Sequence, residues 1–204
     1  MITLDFLTQK ARNSQIDKFT ILREYFQLLF LRYFYSEKFL KTKVYFKGGT
    51  AIRFLFNSFR FSEDLDFTID GNIKTIKVVL ENILSKIERE SSSRIQIKDE
   101  EFLEGRGLGY RLVFESDFAK QPLGIRLDFS MRERPIEPET SVLTVYDYPI
   151  NPPPIVTHLS KGEILAEKIR AVFTRNQSRD LFDLSFLLKR GEKVNWKMVG
   201  EKMK

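Results

Sequence analysis

Between Ser14 and Phe39 the residues Ile16, Phe19, Ile21, Leu22, Tyr25, Phe26, Leu28, Leu29 and Tyr33 recur at helical spacing and form one wide, aromatic-rich apolar stripe. Such a stripe is stable in water only when another layer covers it, so the segment is predicted to be a long helix forming one wall of the core. With 204 residues, 42% of them hydrophobic, the chain is long enough to bury a substantial interior. The organisation expected is a core over residues 1–150 that includes this N-terminal helix, and a helical part over residues 151–204.

Shorter elements follow. Val44–Lys47 reads as a strand, Gly48–Gly49 as a turn, Thr50–Phe56 as a helix, Asn57–Glu63 as a loop and Asp64–Ile69 as a second strand. Asn72–Glu90 returns to helical spacing. Strand candidates at Arg94–Lys98, Tyr110–Glu115 and Gly124–Met131 are separated by turn chemistry at Glu104–Gly109 and Asp117–Pro122, and are expected to pair antiparallel with the aspartate strand. Six of the seven prolines fall within Arg134–Pro154, which predicts an extended connection over the surface. Helices are predicted at Ser160–Thr174, Arg179–Lys189 and Trp196–Lys204. The sum is an α+β fold, a mixed sheet flanked by helices, with a C-terminal helical part.

On the second strand, alternation points Asp64 and Asp66 to one face and Leu65, Phe67 and Ile69 to the core. Two like charges a few ångströms apart repel, and apolar flanks offer little water to relieve them. Mg²⁺ does relieve them, since it binds through one or two carboxylates plus substrate phosphates. Taken alone, Asp-x-Asp is more often the polar face of a half-buried strand. In GIRLDFSMRE, however, Asp128 again stands opposite an apolar row of Ile125, Leu127, Phe129 and Met131. If the two strands are neighbours, three carboxylates cluster, enough to hold two Mg²⁺ ions for phosphoryl transfer, with Asp128 bridging the ions or serving as base.

Gly48 and Gly49 come directly before a helix whose first N–H groups and positive dipole end can meet a phosphate, and Thr50 can cap that helix or contact the triphosphate. Farther on, a helical projection of Ser160–Arg175 sets Ile164, Leu165, Ile169, Ala171 and Val172 on an apolar arc, with Glu163, Glu167 and Arg170 opposite. Lys161, Lys168 and Arg175 fall inside the arc. A core-facing lysine needs an anionic partner: either Lys168 pairs with Asp180, or Lys168 and Lys161 bind triphosphate while Asp180 or Asp183 orients them, and the two readings are compatible. Arg179 is a candidate for phosphate or acceptor contact.

KGGTAIRFLF followed by RFSEDLDF resembles the first motif of the AbiEii/AbiGii toxin group within the DNA-polymerase-β-like nucleotidyltransferases, whose pattern is Gly-Gly/Ser, a short helix, then Asp-x-Asp. EILAEKIRAVFTRNQSRDLFDL is similar to that group's second conserved block. The resemblance implies a nucleotidyltransferase that uses an NTP and two Mg²⁺ ions. By it, Asp64, Asp66 and Asp128 are the metal and catalytic residues and Lys168 is catalytic. Gly48, Gly49, Thr50, Ser62, Lys161, Lys168, Arg179, Asp180 and Asp183 are the nucleotide-binding set. It further implies a toxin of a toxin–antitoxin or phage-defence pair that modifies RNA, for instance the acceptor end of tRNA, and that has a cognate antitoxin.

Composition bounds the rest. Cysteine is absent and His158 is the only histidine, which argues against thiolate or histidine-rich metal centres. No apolar run is long enough to span a bilayer and the N-terminus lacks a secretory plan, so a cytoplasmic protein with no membrane partner is expected. A net charge of +6 suits a polyanionic partner without requiring one. His158 reads as a surface or helix-preceding residue rather than a proton carrier. Phe59 and Tyr110 are candidates for base stacking, although packing explains most of the aromatics. The rival readings are a protein-modifying, AMP-transferring antitoxin and a non-catalytic nucleic-acid-binding module.

Overall fold

The computed structural model describes residues 1–71, 76–103, 107–175 and 177–203. The N-terminal layer holds two helices where one was predicted. Helix α1 (Leu4–Ser14) is capped by Thr3, whose hydroxyl accepts from the Phe6 N–H at 3.2 Å, and it ends at Gln15 in the left-handed region at φ 55°. It buries Leu7 alone, which is why its periodicity is weak in the sequence. Helix α2 (Lys18–Phe34) starts at Asp17, whose carboxylate accepts from the Thr20 N–H at 2.9 Å. Its buried set includes Glu24 and Gln27 besides the apolar stripe, so it is enclosed on more than one side.

Next come β1 (Val44–Lys47), α3 (Gly48–Phe56), β2 (Leu65–Ile69), α4 (Ile76–Ser91), β3 (Arg94–Leu103), β4 (Gly107–Glu115), β5 (Leu123–Ser130), β6 (Pro138–Val142), β7 (Ile155–Leu159), α5 (Lys161–Arg175), α6 (Ser178–Lys189) and α7 (Trp196–Lys202). The predicted start of α4 at 72–75, the turn at 104–106 and the last residue, 204, lie outside the described residues. The seven strands form one mixed sheet in the order β3-β4-β5-β2-β1-β7-β6.

Two features of the sheet depart from the sequence reading. First, β5 pairs with β2 in parallel, not antiparallel, because α4 and the β3–β4 hairpin intervene and return the chain in the same direction. Second, the proline-rich segment is not only a surface connection. Residues within it form β6, and β7 follows it to pair with β1 in parallel, while Pro138 takes the first position of an edge strand, where a missing N–H is tolerated. His158, far from being exposed, is buried in β7: its Nδ1 contacts the Leu159 carbonyl at 2.7 Å and its Nε2 the Ser141 hydroxyl at 2.9 Å. Burial lowers its pKa. Tyr110 is also buried, edge-on to Phe129 with its hydroxyl 3.3 Å from Glu100, and presents no face to a base. Among the described residues no helix is long and apolar enough to cross a membrane.

Behind the aspartates lies an aromatic stack. The parallel register sets Phe67 beside Phe129, with ring centroids 5.0 Å apart and planes 16° from parallel, and Phe34 of α2 covers Phe67 at 5.2 Å. All three are fully buried, so the β2–β5 pairing is clamped from the core side. Phe67→Ala is expected to destabilise the fold by about 3–5 kcal/mol, measured as a shift in the midpoint of urea unfolding.

Candidate active site

The β2–β5 register sets Asp66 opposite Asp128, and Asp64 immediately precedes β2. Alternation sends these carboxylates away from the Phe67–Phe129 stack, into a cleft of about 520 Å³. The row continues on both sides, through Lys47 of β1 opposite Asp66 and Gly109 of β4 opposite Asp128. Asp64 and Asp66 are half-buried and Asp128 is exposed. Burial, reinforced by the charges of Asp128 and Asp64 and opposed by Lys168 and Lys47, pushes Asp66 up to about 6. Asp64 is also raised, chiefly by burial, with Arg179 and Arg126 acting against the shift. Among the described residues no three acidic, histidine or cysteine side chains converge tightly enough to form a finished metal cage. The donor set nonetheless fits a hard divalent cation: all-oxygen ligands on one face, with ionisation impeded in a way a positive charge relieves.

The glycine turn packs directly on this row. Gly48 has φ 79°, and a Cβ there would stand 2.7 Å from Cγ of Asp66, so both backbone and space require glycine. A Cβ on Gly49 would collide with the Arg60 guanidinium and lie 3.1 Å from the Ser62 hydroxyl, so those two groups sit over the N-terminus of α3. The loop that carries them is fixed at several points. Asn57 ends α3 at φ 58°, Gln27 donates to the carbonyls of Ser62 and Glu63 at 3.0 Å, and the Thr50 hydroxyl donates to the Asp64 carbonyl.

On the opposite wall, Lys168 is buried and meets both Asp180 at 3.0 Å and Asp183 at 2.7 Å. Arg60 grips Asp183 through two hydrogen bonds of 2.8 and 2.7 Å, and Arg175 grips Asp180 at 3.0 and 3.1 Å. Burial works against the Asp180 charge, yet Lys168 and Arg175 outweigh it and hold its pKa below the ordinary value. A second ionic cluster closes the floor, where Lys202 lies 2.7 Å from Glu163, 3.1 Å from Glu133 and 3.3 Å from Glu167. Glu167 also pairs with Lys47 at 3.2 Å.

The structure therefore brings Asp64, Asp66, Asp128, Gly48, Gly49, Ser62, Lys168 and Arg179 to one cleft. Four residues of the expected nucleotide-binding set stand elsewhere or are engaged otherwise. Thr50 is buried with its hydroxyl committed to the backbone of Asp64; Asp180 and Asp183 are buried behind Lys168; and Lys161 turns to the Arg190 carbonyl at 3.1 Å. The polar face expected for Glu163 and Glu167 is a correction: Glu163 is fully buried, because Lys202 and the backbone N–H groups of Ile136 and Glu137 satisfy it. Lys47, Glu133 and Lys202 carry no signal in the sequence, because each is a lone charge whose partner lies far along the chain.

The raised pKa of Asp66 carries a stability consequence with a definite sign. Its folded pKa, about 6, exceeds the unfolded value of 3.8, so ionisation in the fold is penalised above pH 6 and the penalty vanishes below the unfolded pKa. Asp66→Asn is expected to raise the stability of the metal-free protein by about 2–3 kcal/mol at pH 7.5, seen as a higher Tm, and to leave it little changed below pH 4.

No curated protein sequence matches the chain. Among solved structures, the nucleotidyltransferase toxin MenT4 from Mycobacterium tuberculosis superposes with a TM-score of 0.70 over 100% of this chain and 69% of its own, at 20% identity. JHP933 from Helicobacter pylori does so with a TM-score of 0.61 over 89% of this chain and 72% of its own, at 23% identity. Both are likenesses of fold. The profile of the family described as "Nucleotidyl transferase AbiEii toxin, Type IV TA system" matches residues 29–204. The chain belongs to this family of nucleotidyltransferase toxins of type IV toxin–antitoxin systems.

Proposed function

We propose that the protein transfers a nucleoside monophosphate from an NTP to a hydroxyl of an RNA acceptor, such as the 3′ end of tRNA, in a Mg²⁺-dependent reaction in the cytoplasm. As the toxin of its pair it blocks growth in this way, in a setting that includes phage defence. The observation that carries the reading is the register that stands Asp66 beside Asp128, with Gly48 at the start of α3 pressed against Asp66.

In this reading Asp64 and Asp66 hold Mg²⁺ and Asp128 completes the set. A divalent ion held there would supply charge neutralisation for the polyphosphate and would acidify the attacking hydroxyl. The acceptor oxygen forms a bond to the α-phosphorus as the bond from that phosphorus to the β-bridging oxygen breaks, and pyrophosphate leaves. The hydroxyl proton passes to Asp128, the most exposed of the three carboxylates, or through it to water. Gly49, with Ser62 and Arg60 above it, receives the phosphate chain at the positive end of α3. Lys168, fixed by Asp180 and Asp183, adds positive potential to the cleft, and Thr50 acts indirectly by holding the Asp64 backbone.

The test is incubation with each labelled NTP, total tRNA and a cell protein extract. Label is expected in the RNA fraction, lost with EDTA and reduced at least about a thousandfold in Asp66→Asn. Label in protein would favour the AMP-transferring reading. RNA binding that ignores Mg²⁺ and Asp64→Ala, with no label transferred, would replace the enzyme reading with a binding module.

A further inference from the structure

The cations of the cleft divide into two classes. Lys47, Arg60, Lys168, Arg170, Arg175 and Lys202 each face one or more carboxylates. Each of these six side chains is already held in place by a carboxylate of the protein. Arg132 and Arg179 also line the cleft, are exposed, and make no ion pair among the described residues. An exposed arginine that turns into a cleft without a carboxylate is available to an anion brought by a ligand.

These two arginines stand at opposite ends of the aspartate row. Arg179, in the first turn of α6, lines the cleft with Ser62 and Arg60, which cover the α3 N-terminus, and Asp183 of the same helix is tied to Arg60. Arg132 lies past the far end of β5, beyond Asp128 and Ser130, beside the Arg170 and Glu133 pair. Its backbone N–H is held by the Ser130 hydroxyl at 3.4 Å, and the neighbouring Glu133 is tied down by Arg170 and Lys202. The side chain therefore has a fixed base and a free head. With the triphosphate seated over α3, a transfer across the aspartate row places the acceptor at the Arg132 end.

We propose that Arg132 binds a backbone phosphate of the acceptor strand and so positions it at the end of the aspartate row away from Arg179. This rests on the nucleotidyl-transfer reading above. The geometry gives each arginine a different kinetic signature. Arg132→Gln is expected to raise KM for total tRNA about tenfold, the loss of one charge-assisted contact, with KM for the NTP unchanged. Arg179→Gln reverses that pattern. Arg132→Lys retains most of the tRNA affinity, and Arg134→Gln, an exposed arginine outside the cleft lining, changes nothing.

The decisive readout is direct binding of fluorescent total tRNA, without NTP, across a salt series. The wild type is expected to bind, and Arg132→Gln to reduce the slope of log affinity against log salt by about 0.7–0.9, one phosphate contact. An unchanged slope and KM in Arg132→Gln, or a wild type that does not bind tRNA, overturns the proposal. Slope loss without label transfer in any variant or in the wild type would uphold the Arg132 contact while ending the transfer reading, so the two fail separately.

Discussion

The parallel pairing of β2 with β5 is the constraint on which the rest of the site depends. Only that register places Asp66 level with Asp128 on the cleft face while Phe67 and Phe129 stack on the core face. A slip of one residue would turn the carboxylates into the aromatic core and the rings into the cleft, an exchange with a large free-energy cost on both faces. The core thus fixes the chemistry. The apolar side supplies a strong, register-specific clamp, and the acidic side accepts a repulsion that would be relaxed if the strands were free to move.

Around this row the protein answers nearly every buried charge with another. Asp183 links the loop residue Arg60 to Lys168, and Asp180 links Lys168 to Arg175, so the loop after α3, α5 and α6 are tied through two carboxylates. Lys202 performs the same service at the floor of the cleft, drawing α7 against Glu163, Glu133 and Glu167. Such networks add little net stability compared with apolar packing, but removing one member strands the others, so they hold geometry firmly. What they leave unanswered, among the described residues, is the aspartate row itself and the side chains of Arg132 and Arg179. A polyphosphate and a divalent cation would complete that balance.

Much of this was legible in the sequence because it rests on strict periodicities. The alternation in Leu65–Ile69 and Ile125–Met131 gives the facing of all three aspartates, and the Gly48–Gly49 turn between a strand and a helix announces itself. The pairing of Lys168 with Asp180 was one of two compatible readings, since a lysine within an apolar arc must be compensated. The remainder depends on contacts distant in the chain. Whether β5 runs parallel or antiparallel to β2 is decided by the path through α4 and the β3–β4 hairpin, not by either strand. Helix α1 shows little pattern because it buries one side chain, and β6 is hidden among prolines because an exposed edge strand needs no apolar face. Glu163 and Glu167 read as a solvated face, because their partners, Lys202 and Lys47, lie on elements that only the tertiary fold brings near.

The claim that joins these observations is that Asp64, Asp66 and Asp128 act together on a divalent cation. Calorimetric titration of the folded protein with Mn²⁺, for the wild type and for each of the three single Asp→Asn variants, tests it most directly. The account predicts saturable binding by the wild type that is weakened at least about tenfold, one lost carboxylate ligand, in each of the three variants. Binding of equal strength in all four proteins, or a wild type that binds no cation with or without an NTP present, would contradict it.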